Sequence, residues 1–208
     1  NAYPNEIRIK IMFRVLVFSL FFLNVSVNAQ QLQSLKIIKT KYDSITKINK
    51  EEYLLALNEN NQERIIAAQN KIREFSFKRE KEYQQAVEDF LKNQKFAEPS
   101  NLPIDSIKAE IKASYFHGIE KLYKEVHDFV FKNTDFGDSE FDFVSSKIHF
   151  LVQNDNTLFV EKVEGTNPNF NRIALLAFLM TEGTWTSASQ YGRNVKLKFV
   201  LPVTLKLE

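Results

Sequence analysis

Histidine, serine and clustered carboxylate side chains are the groups that could carry acid–base, nucleophilic or metal chemistry in this chain, because the sequence has no cysteine. The three histidines are His117, His127 and His149. His117 with Lys121, and His127 with Asp128, do not make a metal-ligand pair on one helix face. His149 lies between apolar neighbours, which predicts a surface position on a strand. The histidines therefore do not indicate a metal site.

The serine and carboxylate clusters are equally weak as catalytic motifs. Ser145 and His149 share one face of a predicted strand, but the extended chain separates them by about 13 Å, too far for a hydrogen bond. The best ligands for a hard metal ion are Asp135, Asp138, Glu140 and Asp142. Their spacing differs from that of an EF-hand loop, so we expect a solvated acidic loop. Neither enzymatic activity nor a cofactor is expected, and a metal-dependent enzyme is only a distant alternative.

The first 29 residues have the pattern of a secretory signal peptide. Basic residues precede an apolar segment, 15–27, that is shorter than the roughly 20 residues of a membrane span. The sequence Val27-Asn28-Ala29 matches a small-x-small cleavage site. We therefore predict that residues 1–29 comprise upstream residues and a signal peptide cleaved after Ala29, and that the remaining chain is periplasmic. An uncleaved membrane anchor is the alternative.

The overall composition restricts the remaining function classes. A net charge of +2 is too small to indicate nucleic-acid binding, and no motif predicts a small-molecule substrate. Without cysteine there is no disulfide framework, so the hydrophobic residues, 44% of the chain, must supply the stabilising core. Protein–protein binding is the role that these limits leave.

Residues 30–98 form a predicted helical region. Strong helix formers fill it, and neither glycine nor proline occurs between Gln31 and Lys95. Apolar residues recur at helical spacing on both sides of an asparagine-rich bend. We predict two helices, 32–58 and 62–95, that fold back as an antiparallel hairpin. A single rod or a dimeric coiled coil is the alternative, although the heptad spacing is too irregular to favour a coiled coil.

Residues 99–113 are predicted to be a linker with a short helix. Pro99 and Pro103 interrupt regular structure, and Asp105 or Ser106 can cap a helix that continues through Ser114. The apolar spacing beyond the linker predicts a second helix over 118–132. The apolar side of that helix comprises Ile119, Leu122, Tyr123, Val126 and Val130.

Two strands and a helix are predicted next. Residues 143–153 and 158–163 are strand-forming, with a turn at Asn154-Asp155-Asn156. Asn167 and Pro168 suit the N-cap and the first position of a helix that continues to residue 181. Gly183 is then expected to end this helix in the left-handed conformation.

The C-terminal residues 195–207 alternate between apolar and mostly polar side chains, which is the period-two pattern of a strand with one buried face. Pro202 cannot donate to a ladder, which predicts an edge strand or a bulge. Residues 191–194, with Gly192, have the composition of a turn that leads into this strand. Trp185, the only tryptophan, is expected to be buried between the preceding helix and the sheet.

This C-terminal region resembles the C-terminal domain of TonB-type energy transducers. The resemblance is carried by Trp185-x-x-Ala188, by a polar loop containing Gly192, and by a strand in which a β-branched residue follows Pro202. It covers residues 114–208. The resemblance implies an α+β fold, with a ββαβ core and an antiparallel three-stranded sheet against which helices pack, following the helical hairpin.

The resemblance also implies a binding site. In TonB-type domains the last strand accepts a short extended segment of an outer-membrane transporter as an added strand, through main-chain hydrogen bonds. Lys196 and Lys198 could then meet acidic residues of the partner; alternatively, they protect the edge against aggregation. Carried over to this sequence, the partner-binding residues are Arg193, Asn194, Val195, Lys196, Leu197, Lys198, Phe199, Val200 and Leu201.

The predicted function is that of a periplasmic adaptor for an outer-membrane protein or complex. A cleaved signal peptide leaves no inner-membrane anchor, so we expect a non-enzymatic binding protein whose helical hairpin is a second docking surface. An inner-membrane-anchored TonB-type energy transducer is the alternative. A homodimer is a further candidate assembly.

Overall fold

The protein combines a helical hairpin with three small antiparallel sheets, as seen in a computed structural model that describes residues 27–97, 109–134 and 143–206, with side chains from Gln33 onward. The α+β class and the N-terminal helical hairpin are confirmed. The elements are α1 Val27–Asn58, α2 Gln62–Asn93, β1 Ser114–Tyr115, α3 Ile119–Asn133, β2 Phe143–Val152, β3 Leu158–Gly165, α4 Pro168–Leu179, β4 Trp185–Thr186, β5 Ala188–Gln190, β6 Arg193–Val195 and β7 Leu197–Lys206.

Three predicted segments fall wholly or mostly outside the described residues. These are the linker with the start of its short helix, up to residue 108, the acidic loop, and the signal peptide, apart from Val27–Ala29, which form the start of α1. Across the described ranges, no helix has the length and hydropathy needed to cross a bilayer.

Helices α1 and α2 pack against each other as an antiparallel pair of about 48 Å, at 1.5 Å per residue. Asn60 takes a positive φ of 50° at the bend, and the side chain of Asn61 caps α2 by accepting from the backbone N–H of Arg64. Seven α1 residues that are buried or half-buried recur at heptad spacing, contrary to our expectation. They are Leu35, Ile38, Tyr42, Ile45, Asn49, Glu52 and Ala56, and Ser34, Thr46 and Tyr53 beside them are also half-buried. The polar members of this set hide the pattern in the sequence.

Among the described residues the main sheet has the strand order β3-β2-β7, which makes β7 an edge strand. Its antiparallel ladder with β2 runs without a break from Phe143 opposite Lys206 to Val152 opposite Leu197. A β-bulge interrupts the other ladder, where β3 pairs with β2 between His149 and Phe150. The edge position that Pro202 predicts for the last strand is confirmed.

One hydrophobic core joins the sheet, α3, α4 and the base of the hairpin. The rings of Phe150 on β2 and Phe178 on α4 have centroids 4.6 Å apart. Tyr83 and Phe90 of α2 belong to the same buried cluster. Helix α4 is buried on nearly all sides because α2 also packs against it, and Arg172 of α4 pairs with Glu80 of α2 at 2.5 Å. The hairpin is therefore packed onto the sheet-containing part of the chain.

The segment before α3 is extended rather than helical. Ile111 bridges Ser189 of β5 in antiparallel fashion, and β1 pairs with β4 through Tyr115 and Trp185. The prediction of a helix continuing through Ser114 is wrong for residues 109–114, because their backbone groups are used in these pairings. The predictions for α3, β2, β3 and α4 agree with the structure to within a few residues.

Candidate functional site

The nine residues predicted to bind a partner do not form one strand. Arg193–Val195 is the short strand β6, which pairs with β5 across a two-residue turn. Both turn residues, Tyr191 and Gly192, have positive φ, as a type I′ hairpin requires. Only the last five of the nine, from Leu197, lie on β7. The continuous strand expected from the alternation is thus corrected to two strands with different partners.

Lys196 lies between these two strands and is buried, with only 2% of its surface exposed. Its ammonium donates to the carbonyl of Ala97 and lies 3.7 Å from the centroid of the Phe96 ring. Val195 and Lys196 are both buried, so the inside–outside alternation shifts by one residue where β6 ends and β7 begins. The expected contact of Lys196 with an acidic partner, or its role in protecting the edge, is therefore wrong.

The backbone direction of β7 follows from Pro202, which lies opposite Lys147 on β2. Proline has no N–H to give, so this residue is expected to turn its backbone nitrogen away from β2. Because the ladder is continuous, the side to which each residue of β7 turns its backbone N–H and C=O groups alternates with period two. The outward N–H groups then belong to Lys198, Val200, Thr204 and Lys206. Within the described residues no strand pairs with this side of β7.

We call this row of backbone groups the free edge of β7. The residues that contribute to it are also those whose side chains are exposed. Lys198 pairs with Glu161 of β3 at 3.1 Å, whereas no described carboxylate lies within 4 Å of Lys206. At the other edge of the sheet, on β3, the hydrogen bond from Lys162 lowers the pKa of Glu164. The solvent face is therefore basic along β7 and carries its acidic groups on β3.

Trp185 fixes β7 from the core side. It is 6% exposed, and its ring centroid lies 5.3 Å from Phe150 on β2 and 5.4 Å from Phe199 on β7. The predicted burial of Trp185 against the sheet is confirmed. The position of β7, and with it the free edge, depends on this aromatic cluster.

Gly183 has a different role from the one predicted. Helix α4 ends at Leu179, and Met180 caps it in a right-handed conformation. Gly183 has no positive φ. Instead, a Cβ at this position would lie 2.2 Å from the Tyr115 ring, and the Gly183 N–H donates to the Tyr115 hydroxyl at 2.5 Å. Glycine is needed there because the backbone passes directly over the ring.

Residues 94–97, which we call the strap, connect the hairpin to the end of the sheet. The side-chain amide of Gln94 donates to the Val160 carbonyl at 2.8 Å and accepts from the Val160 N–H at 2.9 Å. The amide of Gln153, 1% exposed, accepts from the Ala97 N–H at 2.6 Å and donates to the Lys95 carbonyl at 2.9 Å. The strap thus contacts β3, the end of β2 and Lys196. Sequence reasoning missed it because its partners are about 60 to 100 residues away.

No described residues form a metal site, since they contain no group of three histidine, cysteine, aspartate or glutamate side chains that could hold an ion. His149 lies on the solvent side of β2, with Nε2 at 2.9 Å from Oε2 of Glu164. His127 stacks on Phe131 of the same helix. None of the three histidines is brought together with Ser145.

Comparison with known proteins gives no match: no family model fits the chain, and neither a curated protein nor a solved structure is significantly similar to it.

Proposed function

We propose that the protein is a periplasmic adaptor, not an enzyme, that binds an outer-membrane protein or complex by adding a partner strand to the free edge of β7. The observation that carries the proposal is the row of outward backbone groups from Lys198 to Lys206, which no described strand pairs. Such an edge is a template for another extended chain.

The rigidity of this edge supports the proposal. β7 is held by its ladder with β2 and by Trp185 packing on Phe199. A strand that is already ordered loses little conformational entropy on binding, so the partner alone bears the ordering cost. The resemblance of residues 114–208 to TonB-type C-terminal domains supports the same binding mode and the same class of partner.

The hairpin supports an adaptor role rather than a single contact. Large apolar side chains remain exposed in its distal part, beyond the residues that join the core. They are Ile48, Leu54, Leu55, Leu57 and Ile66. Exposed apolar side chains in this number are typical of a second interaction surface.

Capture of a partner from solubilised outer membrane tests the proposal. Val200→Pro removes an outward N–H without removing a bond to β2, so the variant should fold with the wild-type melting profile and capture no partner. Val200→Ala keeps the N–H and is the matched control, which should capture the partner at the wild-type level.

The result is read together with a circular-dichroism melt of each variant. If folded Val200→Pro protein retains the same partner at wild-type affinity, strand addition at β7 is not the binding mode.

A further inference from the structure

Helix α3 presents an exposed row of large side chains, which we call the α3 stripe: Ile119, Tyr123, His127 and Phe131. These residues are spaced four apart, so they follow one line along the helix. Ile119 is 47% exposed, Tyr123 43% and Phe131 66%. Ile119 and Tyr123 belong to the set predicted to be buried, but the core takes only the adjacent line of Leu122, Val126 and Val130. The stripe is therefore apolar surface that the fold does not use.

The α3 stripe lies beside the free edge of β7. Tyr123, Val126 and His127 line one wall of a groove of about 430 Å³, together with the charged Lys124 and Asp128, and residues 202–204 line the other. The groove therefore has an unpaired strand edge on one side and a helix wall with aromatic side chains on the other. An extended segment is the ligand that can satisfy both walls at once.

The length of the α3 stripe agrees with this ligand, and the groove covers the middle of the stripe, from Tyr123 to Asp128. From Ile119 to Phe131 the helix rises about 18 Å, which corresponds to about five or six residues of extended chain. Alternate side chains of a strand point to opposite faces, so about three side chains of an added strand would face the stripe. The others would lie on the solvent face beside Lys198 and Lys206, where β7 carries no acidic residue.

We propose that the segment bound by β7 is amphipathic, with apolar side chains packed on the α3 stripe and acidic side chains on the solvent face of the sheet. This inference rests on the proposed function and names the chemistry of its partner. Main-chain hydrogen bonds to β7 do not depend on the sequence of the bound segment. The stripe, in contrast, favours segments in which every second residue is apolar.

The probe is a synthetic ten-residue peptide of alternating leucine and glutamate, titrated into the full chain and followed by backbone amide NMR shifts. A peptide with the same composition in two blocks is the sequence control. Tyr123→Ser combined with Phe131→Ser removes most of the stripe at exposed positions, so the fold is retained. Phe77→Ser, at a residue 70% exposed on α2, is the matched control for removing an exposed aromatic side chain.

The expected result is that the alternating peptide shifts the amides of Lys198, Val200 and Thr204, and that the block peptide does not. The double variant should weaken binding about tenfold, and Phe77→Ser should bind like the wild type. The same pattern is expected for the partner captured from the outer membrane.

Several results would overturn the inference while leaving strand addition intact. These are equal binding of the two peptides, unchanged binding by the double variant, or no peptide binding although Val200→Pro still abolishes partner capture. If the chain dimerises at high concentration and the dimer buries the stripe, the groove binds a second copy of the chain, and the inference is also overturned. If Val200→Pro retains the partner, the proposed function fails and the inference fails with it.

Discussion

The two edges of the main sheet are treated in opposite ways. At β3, Gln94 uses its side-chain amide to pair with both backbone groups of Val160, and the bulge beside Phe150 distorts the ladder. At β7, Pro202 is the one outward-facing residue without an N–H donor, and the outward groups on either side of it remain unpaired by any described strand. A side-chain amide has the same donor and acceptor as a peptide group, so Gln94 imitates one residue of an added strand.

This difference distinguishes an edge that is protected against aggregation from an edge that is available for binding. A sheet edge left open invites aggregation, and proteins usually block it with bulges, charges or a covering segment. Gln94 of the strap, the bulge and the charged side chains of β3 act on one edge. The edge of β7 carries Lys198, Pro202 and Lys206, but no bulge interrupts its ladder and no described segment covers its hydrogen-bonding groups. It is therefore the edge that we propose as the binding surface.

The largest expected effect comes from removing the support of β7. Trp185→Ala deletes the ring that packs on Phe150 and Phe199, and truncation of a buried tryptophan costs about 3–5 kcal/mol. We expect this loss in urea unfolding, with amide exchange rising in β7 before β3, because no ring contact links Trp185 to β3 among the described residues. A loss below about 1 kcal/mol would contradict the placement of Trp185.

Alkaline pH should destabilise the packing of the hairpin through Tyr83, a buried residue by which α2 joins the hydrophobic core. Burial raises the pKa of Tyr83 to about 12. The folded state therefore holds the phenol proton more tightly than the unfolded state, so this stability is complete below about pH 10 and is lost as the pH rises towards 12. The full loss is about 2–3 kcal/mol.

Tyr83→Phe isolates this contribution from the other tyrosines and lysines that titrate in the same range. Urea unfolding at pH 9, 10 and 11 should show a shallower decline in the variant than in the wild type. Parallel declines would show that Tyr83 does not couple folding to pH.

The smallest expected effect comes from opening the protected edge. Gln94→Ala removes two hydrogen bonds to Val160 and should cost about 1–2 kcal/mol. It should also cause concentration-dependent association by light scattering, because the edge of β3 is then uncovered. Gln85→Ala removes one exposed bond to Asp89 on the same helix and is the control. If Gln94→Ala stays monomeric at all concentrations, the amide does not protect the edge.

Local patterns account for most of the fold. Periodicity predicted the hairpin, β2 and β3, because it can be seen within a few neighbouring residues. In the same way, Asn167 and Pro168 predicted the start of α4, and Pro202 predicted the edge position of β7. The α3 helix was also predictable, but not which of its apolar residues stay exposed. The exposure of these residues depends on where the sheet ends, and the spacing of residues within 118–132 does not show this.

The candidate site was predictable only in part. The alternation of residues 195–207 continues through Lys196 without any local sign that the strand changes partner there. The burial of Lys196 depends on Ala97, which lies 99 residues away in the chain. Gln94 and Gln153 look like ordinary surface residues in the sequence, since their partners become neighbours only in the folded chain.

The central position of β2 has a consequence for how the chain is made. Because synthesis proceeds from the N-terminus, β2 emerges before β7, the last described element, which completes its ladder. During that interval the apolar side chains of β2, including Val144, Ile148 and Phe150, lack one neighbouring strand, so the nascent chain is vulnerable to misassembly. A product truncated before Leu197 would remain in that state and become a substrate for chaperones and proteases.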